Sequence, residues 1–379
     1  MFMDRQEYIS YLSRSVSEHP KPVQQHLLYQ LESEYVCLAQ SEVKLQTVLS
    51  ENTSNITTDI LDVSEKGSDL DKLQFCIVHS NKAVQVIERW EFVKQYKYSI
   101  PCKTSSVNRN ALEQKILEKK IRVFNDTDVN SYDGLPDHLN DFICQSVYRT
   151  SSAWLFKFNI RQDFYRIENG EKVSRKKTIV AYFVPEKNFI DIRFDFISPY
   201  DKEKEFDISW YLQRLIEYFK EVFGIDIVYL ELFGLEHGIK EENDKSIIGQ
   251  EMKLANGSIA TLQASSTATG NSKYVLPFLG ELQELLADYQ NELENAPRFK
   301  EAFEKFLDDK DVTSDLPWVI IKWEDETSTK ITFDYKNKGF CLIQHYSNYG
   351  RGVIGMERMN RVAEYIIEYR ASHPATQPD

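Results

Sequence analysis

Between Ser151 and Ser198 three runs of alternating residues are separated by two short polar turns. In Ala153–Ile160 the side chains of Trp154, Phe156, Phe158 and Ile160 share one face, and Lys157, Asn159 and Arg161 fall on the other. Thr178–Val184 is apolar on both faces, the pattern of a central strand covered on each side. Phe189–Phe196 divides into Ile190, Ile192, Phe194 and Phe196 against Asp191, Arg193 and Asp195. A period of two with aromatic and β-branched enrichment is the strand signature, and Asn169-Gly170 and Lys187-Asn188 suit hairpin turns. The pattern predicts an antiparallel meander in which Ile192 and Phe194 point inward and Asp191, Arg193 and Asp195 face water.

A chain of 379 residues exceeds one typical domain. The reading is an α+β protein: a mainly helical N-terminal domain over residues 1–150, then an α+β domain over 151–379. The latter has an antiparallel β-meander and mixed α/β layers, with a sub-boundary near 265–272. Lys plus Arg at 46 against Asp plus Glu at 59 leaves a net charge of −13, a field that disfavours broad contact with phosphate backbones or anionic membranes. No stretch approaches the roughly 18 apolar residues of a membrane span, and MFMDRQEYIS lacks the apolar core of a secretory signal. The cysteines, Cys37, Cys76, Cys102, Cys144 and Cys341, are odd in number and never form CxxC; they read as buried, reduced thiols. The expectation is a cytoplasmic, prokaryotic protein.

Before the meander the chain reads helical. Pro20 and Pro22 separate Asp4–Glu18 from a longer helix, Val23–Leu49, whose Leu27, Leu31, Leu38 and Leu45 form a stripe long enough to serve an interface. Glu51–Gly67 reads as a linker, Leu70–Tyr98 has no clean period, and helices are expected over Asn108–Ile121 and Asp137–Val147. After the meander come an amphipathic helix, Phe206–Phe223, stopped by Gly224, and a strand, Ile225–Phe233. A hairpin over Glu251–Ala264 turns at Asn256-Gly257, and Tyr274–Leu307 reads as helix broken near Pro297. The end reads as strands Trp318–Trp323, Lys330–Tyr335 and Gly339–His345, a glycine loop, a helix to Arg370 and a disordered tail. Two strands followed by an amphipathic helix thus occur twice, around Thr178–Phe223 and Lys330–Arg370.

Three segments invite chemistry. Gly350-Arg351-Gly352-Val353-Ile354-Gly355 is a G-x-G-x-x-G run between a strand and a helix, where glycines let backbone N–H groups approach a phosphate. Too little chain follows for a second parallel strand, so the reading is a flexible helix start, with a weak anion site at Gly350, Arg351, Gly352 and Gly355 as the alternative. Asp126–Asp137 places oxygen side chains at calcium-loop positions, but Ser131 stands where the sharp turn needs glycine; an Asx-rich helix cap fits better. Asp226, followed on a later strand by Glu251-Met252-Lys253, gives the acid and acid-x-Lys order of PD-(D/E)xK nucleases, where carboxylates hold Mg²⁺ and the lysine orients water. Glu217 or Glu221 could supply a third carboxylate. The basic run Lys172–Lys177 reads as a solvated hairpin tip, or as a single-stranded nucleic-acid contact.

No catalytic constellation is complete. The expected function is a binding or regulatory component acting through a protein partner or as a homo-oligomer, with no cofactor and no membrane. The alternative is a nuclease using Asp226, Glu251 and Lys253 with Mg²⁺ on nucleic acid.

Overall fold

In a computed structural model the chain is described for residues 4–38, 60–125, 131–136, 142–165, 170, 172–195, 208–232, 235, 246–253, 259–263, 285–286, 288–313, 315–325, 327–346 and 355–372. It divides into two units: Met1–Tyr96 with Lys103–Val228 and Tyr349–Arg361, and Lys97–Cys102 with Tyr229–Asn348 and Val362–Asp379. The first unit therefore takes in both the N-terminal helices and the meander. The fold is α+β, with helices leading.

The first unit opens on α1 (Arg5–Ser17), whose N-cap Asp4 accepts from the backbone N–H groups of Gln6 and Glu7, and α2 (Lys21–Ser33), with Pro22 in its first turn. The helix expected to run from Val23 to Leu49 stops at Ser33, and Tyr35 takes a left-handed φ of 57°. The chain then extends as β1 (Cys37–Leu38), which pairs in parallel with β2 (Leu61–Asp62). Leu27 and Leu31 are fully buried in this unit's core and Leu38 is half-buried, so the described part of the leucine stripe packs largely within the chain; Leu45 lies outside the described residues.

The ambiguous stretch Leu70–Tyr98 contains two helices, α3 (Asp69–His79) and α4 (Asn81–Val93). Ser68 and Asp71 close a capping box on α3, and Ser80 caps α4. The period of α4 is unreadable because the helix is buried almost all round, from Ala83 through Phe92. Next come β3 (Tyr98–Thr104), whose residues up to Cys102 belong to the second unit, and α5 (Arg109–Glu118), within the expected Asn108–Ile121.

The sheet of this unit has the order β4 (Arg122–Val123), β5 (Ser146–Arg149), β6 (Trp154–Tyr165), β7 (Lys172–Val184) and β8 (Phe189–Phe194). β4 and β5 are parallel and the other pairs antiparallel, so the meander is as expected. The helix expected over Asp137–Val147 is not: its described residues are irregular and then enter β5. Asn188, at a left-handed φ of 48°, makes the β7–β8 turn. α6 (Ile208–Tyr218) runs on through a π-helical turn, Phe219–Phe223, to Gly224 at φ 69°, as the sequence indicated. The short strand β9 (Ile227–Tyr229) follows.

Both faces of the meander are covered. Phe156 and Phe158 pack on Phe219, with ring centroids 5.1 and 6.3 Å apart, while Leu155, Val180 and Tyr182 pack with Phe92 of α4. All six residues of β8 are buried. That corrects the outward placement of Asp191 and Arg193. Arg193 is 1 % exposed; its Nε donates to Asp191 Oδ2 at 2.8 Å and its guanidinium lies 4.1 Å from the centroid of the Tyr182 ring. Asp195, half-exposed, pairs with Lys94 at 2.5 Å.

In the second unit the order is β11 (Ile259–Gln263), β10 (Ser246–Lys253), β12 (Asp315–Lys322), β13 (Ser328–Thr332) and β14 (Leu342–His345), all antiparallel, and β14 pairs with Tyr98 and Ser99 of β3. Between β11 and β12 the chain leaves the sheet as α7 (Gln290–Glu294) and α8 (Pro297–Thr313). α9 (Glu357–Ser372) follows β14, so both instances of the two-strand-then-helix pattern are present. Among the described residues no helix is long and apolar enough to cross a membrane.

Candidate functional site

α4 carries two acids, Glu88 and Glu91, three residues apart on the side that faces β6 and β7, and strand alternation turns Lys157 and Lys176 toward them. Lys157 donates to the Glu88 carbonyl at 2.8 Å, lies 2.5 Å from Asp133 Oδ2 and 3.5 Å from Glu91 Oε2, and sits 4.1 Å from the centroid of the Phe92 ring. Lys176 binds the other oxygen of Glu91. Arg122 Nη1 reaches Glu88 Oε2 at 2.8 Å and Asp133 Oδ1 at 2.9 Å. Glu88 Oε1 accepts from the Tyr8 hydroxyl at 2.7 Å and the Asp133 N–H at 2.8 Å. Three acids thus meet three bases, and except for Arg122 all are buried.

Charges taken out of water persist only where partners and hydrogen bonds replace hydration. Burial pushes the Glu88 carboxyl up to about 7, helped by Asp133 and opposed by Lys157 and Arg122. Burial acts in the same sense on Glu91 and Asp133 but is outweighed: Lys176 and Lys157 hold Glu91 below its ordinary value, and Lys157 and Arg122 hold Asp133 below its own. Lys157 is raised by its three acids against the effect of burial, whereas burial wins at Lys176 and lowers it.

Glu88 therefore binds a proton more tightly folded than unfolded, where 4.5 applies. The stability it contributes is complete below about pH 4.5 and is lost as pH rises to about 7. Glu88→Gln keeps the shape and removes the titration. Its thermal stability relative to the parent is expected to improve between pH 5 and 8, by on the order of 2–3 kcal/mol. Melting curves across that range check it; a constant difference between the two proteins would contradict it.

Arg122 and Asp133 also line a cleft of about 580 Å³, with Lys119 and Lys120 at its rim and Tyr218 and Val222 on its wall. Its size is that of a small-molecule site, roughly 300–1,000 Å³. Arg122 is the one member of the ionic cluster that is not fully buried, and its Nη1 is already committed to two acids.

Asp226, in the first unit, is exposed and pairs with Lys220 at 3.1 Å. Glu251 and Lys253 belong to the second unit, where Glu251 accepts from Trp318 Nε1 at 3.0 Å across the β10–β12 pair and Lys253 is exposed. Among the described residues no group of three or more His, Cys, Asp or Glu could hold a metal. Gly350, Arg351 and Gly352 lie outside the described residues. Gly355 forms a β-bridge with Lys94, and the atom nearest to a Cβ there would be a carboxylate oxygen of Glu357. Of the calcium-like run, Asp126, Asp128, Asn130 and Asp137 are outside the described residues, and Asp133 is held by Arg122 and Lys157.

The basic run is not a solvated tip: Lys176 is buried, and Arg175 and Lys177 both bind Glu18 of α1, at 2.6 and 2.7 Å. Ser99 Oγ and His345 Nε2 are 3.0 Å apart but shut inside the second unit, out of reach of a substrate. None of the five cysteines forms a disulfide, and all are buried.

The surface offers a different site. Leu285, Tyr289 and Leu293 recur every four residues, and Phe299, Phe303 and Phe306 follow at spacings of four and three, one face of a helix. Leu285, Tyr289, Phe299 and Phe306 are 47–59 % exposed, and none of the described residues from 285 to 306 is buried. Phe299 and Phe303 stack on one another, centroids 5.8 Å apart. Sequence reasoning recognised this segment as helix but not as an exposed apolar surface, because an apolar stripe reads the same whether it meets a core or water. No protein-family model matches the chain, and no curated protein matches it significantly.

Proposed function

We propose that this chain is a binding component that works through contact with another protein chain, and that the contact surface is the apolar side of α7–α8. The observation that carries the reading is the exposure of four large apolar side chains on a helical insertion in which no described residue through 306 is buried. Apolar surface left in water forgoes about 25 cal/mol for each Å² that a partner would cover, and a 17-residue helix is marginal by itself. Contiguous exposed apolar residues on a soluble surface mark interaction sites. The reduced cysteines suit a cytoplasmic setting.

The test is the double substitution Phe299→Glu and Phe303→Glu. It is expected to leave the unfolding free energy within about 0.5 kcal/mol of the parent, as for surface changes, while abolishing association of the purified chain with itself or with a partner captured from lysate. A marked loss of stability would show that the face is internal and overturn the reading. The competing nuclease reading predicts Mg²⁺- or Mn²⁺-dependent cleavage of DNA or RNA that is lost on Asp226→Ala or Glu251→Ala. No cleavage is expected.

A further inference from the structure

We infer that the occupant of the α8 face is the same helix of a second copy of this chain, packed antiparallel. This rests on the contact reading above and adds the partner's identity. The argument comes from charge. The first turn of α8 holds no acid and opens with Arg298 and Lys300, while its sequence closes on three acids, Asp308, Asp309 and Asp311, to one base, Lys310. A helix N-terminus carries positive partial charge and a C-terminus negative, so acids are favoured at the start and bases at the end. α8 has the reverse in balance: two bases at its start, and an excess of acids over Lys310 near its end. For a helix standing alone Arg298, Lys300 and Asp311 are misplaced.

Beside an antiparallel copy the same charges are well placed. The basic start of each helix then lies along the acidic end of the other, and the two dipoles are also opposed. The register that sets Phe303 of one copy against Phe306 of its partner brings Arg298 and Lys300 level with Asp311 and Asp309. A two-fold pair is isologous, so one face serves both copies and the assembly closes at a dimer. Lys300 also lies 3.9 Å from Glu304 on its own helix. That places Lys300 on the flank of the phenylalanine face, where charges set partner and orientation in helix pairs.

The experiment is sedimentation velocity on the full chain over about 1–100 µM. The parent is expected to show a concentration-dependent dimer. An acidic variant, Arg298→Asp with Lys300→Asp, and a basic variant, Asp309→Lys with Asp311→Lys, are each expected to be monomeric, because both ends of the helix then carry one sign. Mixed in equal amounts, the two should form a dimer containing one of each, since every end then meets its opposite. Circular dichroism and melting temperature of both variants should match the parent. A monomeric parent, charge variants that dimerise as the parent does, or a mixture that stays monomeric would each overturn the proposal. A monomeric parent whose Phe299→Glu, Phe303→Glu variant keeps its stability would reject the second copy and leave the contact face standing. A destabilised phenylalanine variant would reject both.

Discussion

Lys157→Met is expected to lower the stability of the chain by about 3–5 kcal/mol, the cost of removing one partner from a buried ion pair. The ammonium is fully buried and bonded at once to Asp133, Glu91 and the Glu88 carbonyl. Methionine fills much of the same volume and keeps a contact with Phe92, so packing is nearly conserved and the effect is electrostatic. What remains after the change is Asp133 and Glu91 without the cation they shared in a dry site, while burial keeps Glu88 up as the protonated acid. Asp133→Asn in the same background should return part of the loss by removing one uncompensated carboxylate. Urea unfolding of the two variants measures it. A cost under about 1 kcal/mol for Lys157→Met would show that the cluster is reached by water.

Arg193→Ala is expected to be as damaging as its neighbour Phe194→Ala. The phenylalanine deletion costs about 3–5 kcal/mol as a large-to-small change in a core. The arginine deletion reaches a similar size by another route: it removes the ion pair of a nearly fully buried Asp191 and uncovers the ring of Tyr182. Were Arg193 on a water-facing side of β8, its removal would cost under about 1 kcal/mol. Comparable shifts in urea midpoint for the two variants are the expected result, and a small effect for Arg193→Ala alone would restore the outward assignment.

These two residues mark where the sequence was readable and where it was not. The strands around Phe156, Phe183 and Ile192, the π-ended helix stopped by Gly224 and the strand series after Asp315 follow from alternation and turn chemistry, which are local. Whether a second face is also covered is not local. Lys157, Asp191 and Arg193 alternate as a half-exposed strand would, and what makes that face interior is supplied from elsewhere in the chain, by α4 over Lys157 and by Phe92, Tyr96 and Met359 over Val180 and Tyr182. α4 concealed itself for the same reason: a helix buried almost all round has no amphipathic period, and Glu88 and Glu91 sit among Ile87, Trp90 and Phe92 with nothing to mark them as paired. The leucines of α2 were over-read in the opposite direction, since a stripe that meets a core looks like a stripe that meets a partner. The phenylalanines of α8 are the converse.

Hydrogen–deuterium exchange followed by mass spectrometry, run at several protein concentrations, separates an open α8 face from one packed within the chain. α4 should be protected at every concentration, because its acids are locked to the sheet. The amides of α8, whose described residues through Phe306 are exposed or half-buried, should exchange quickly in dilute solution, and should become protected as concentration rises and the face is covered. Strong protection of 297–313 in dilute solution, equal to that of α4 and independent of concentration, would mean that the face is packed within the chain and would contradict the account.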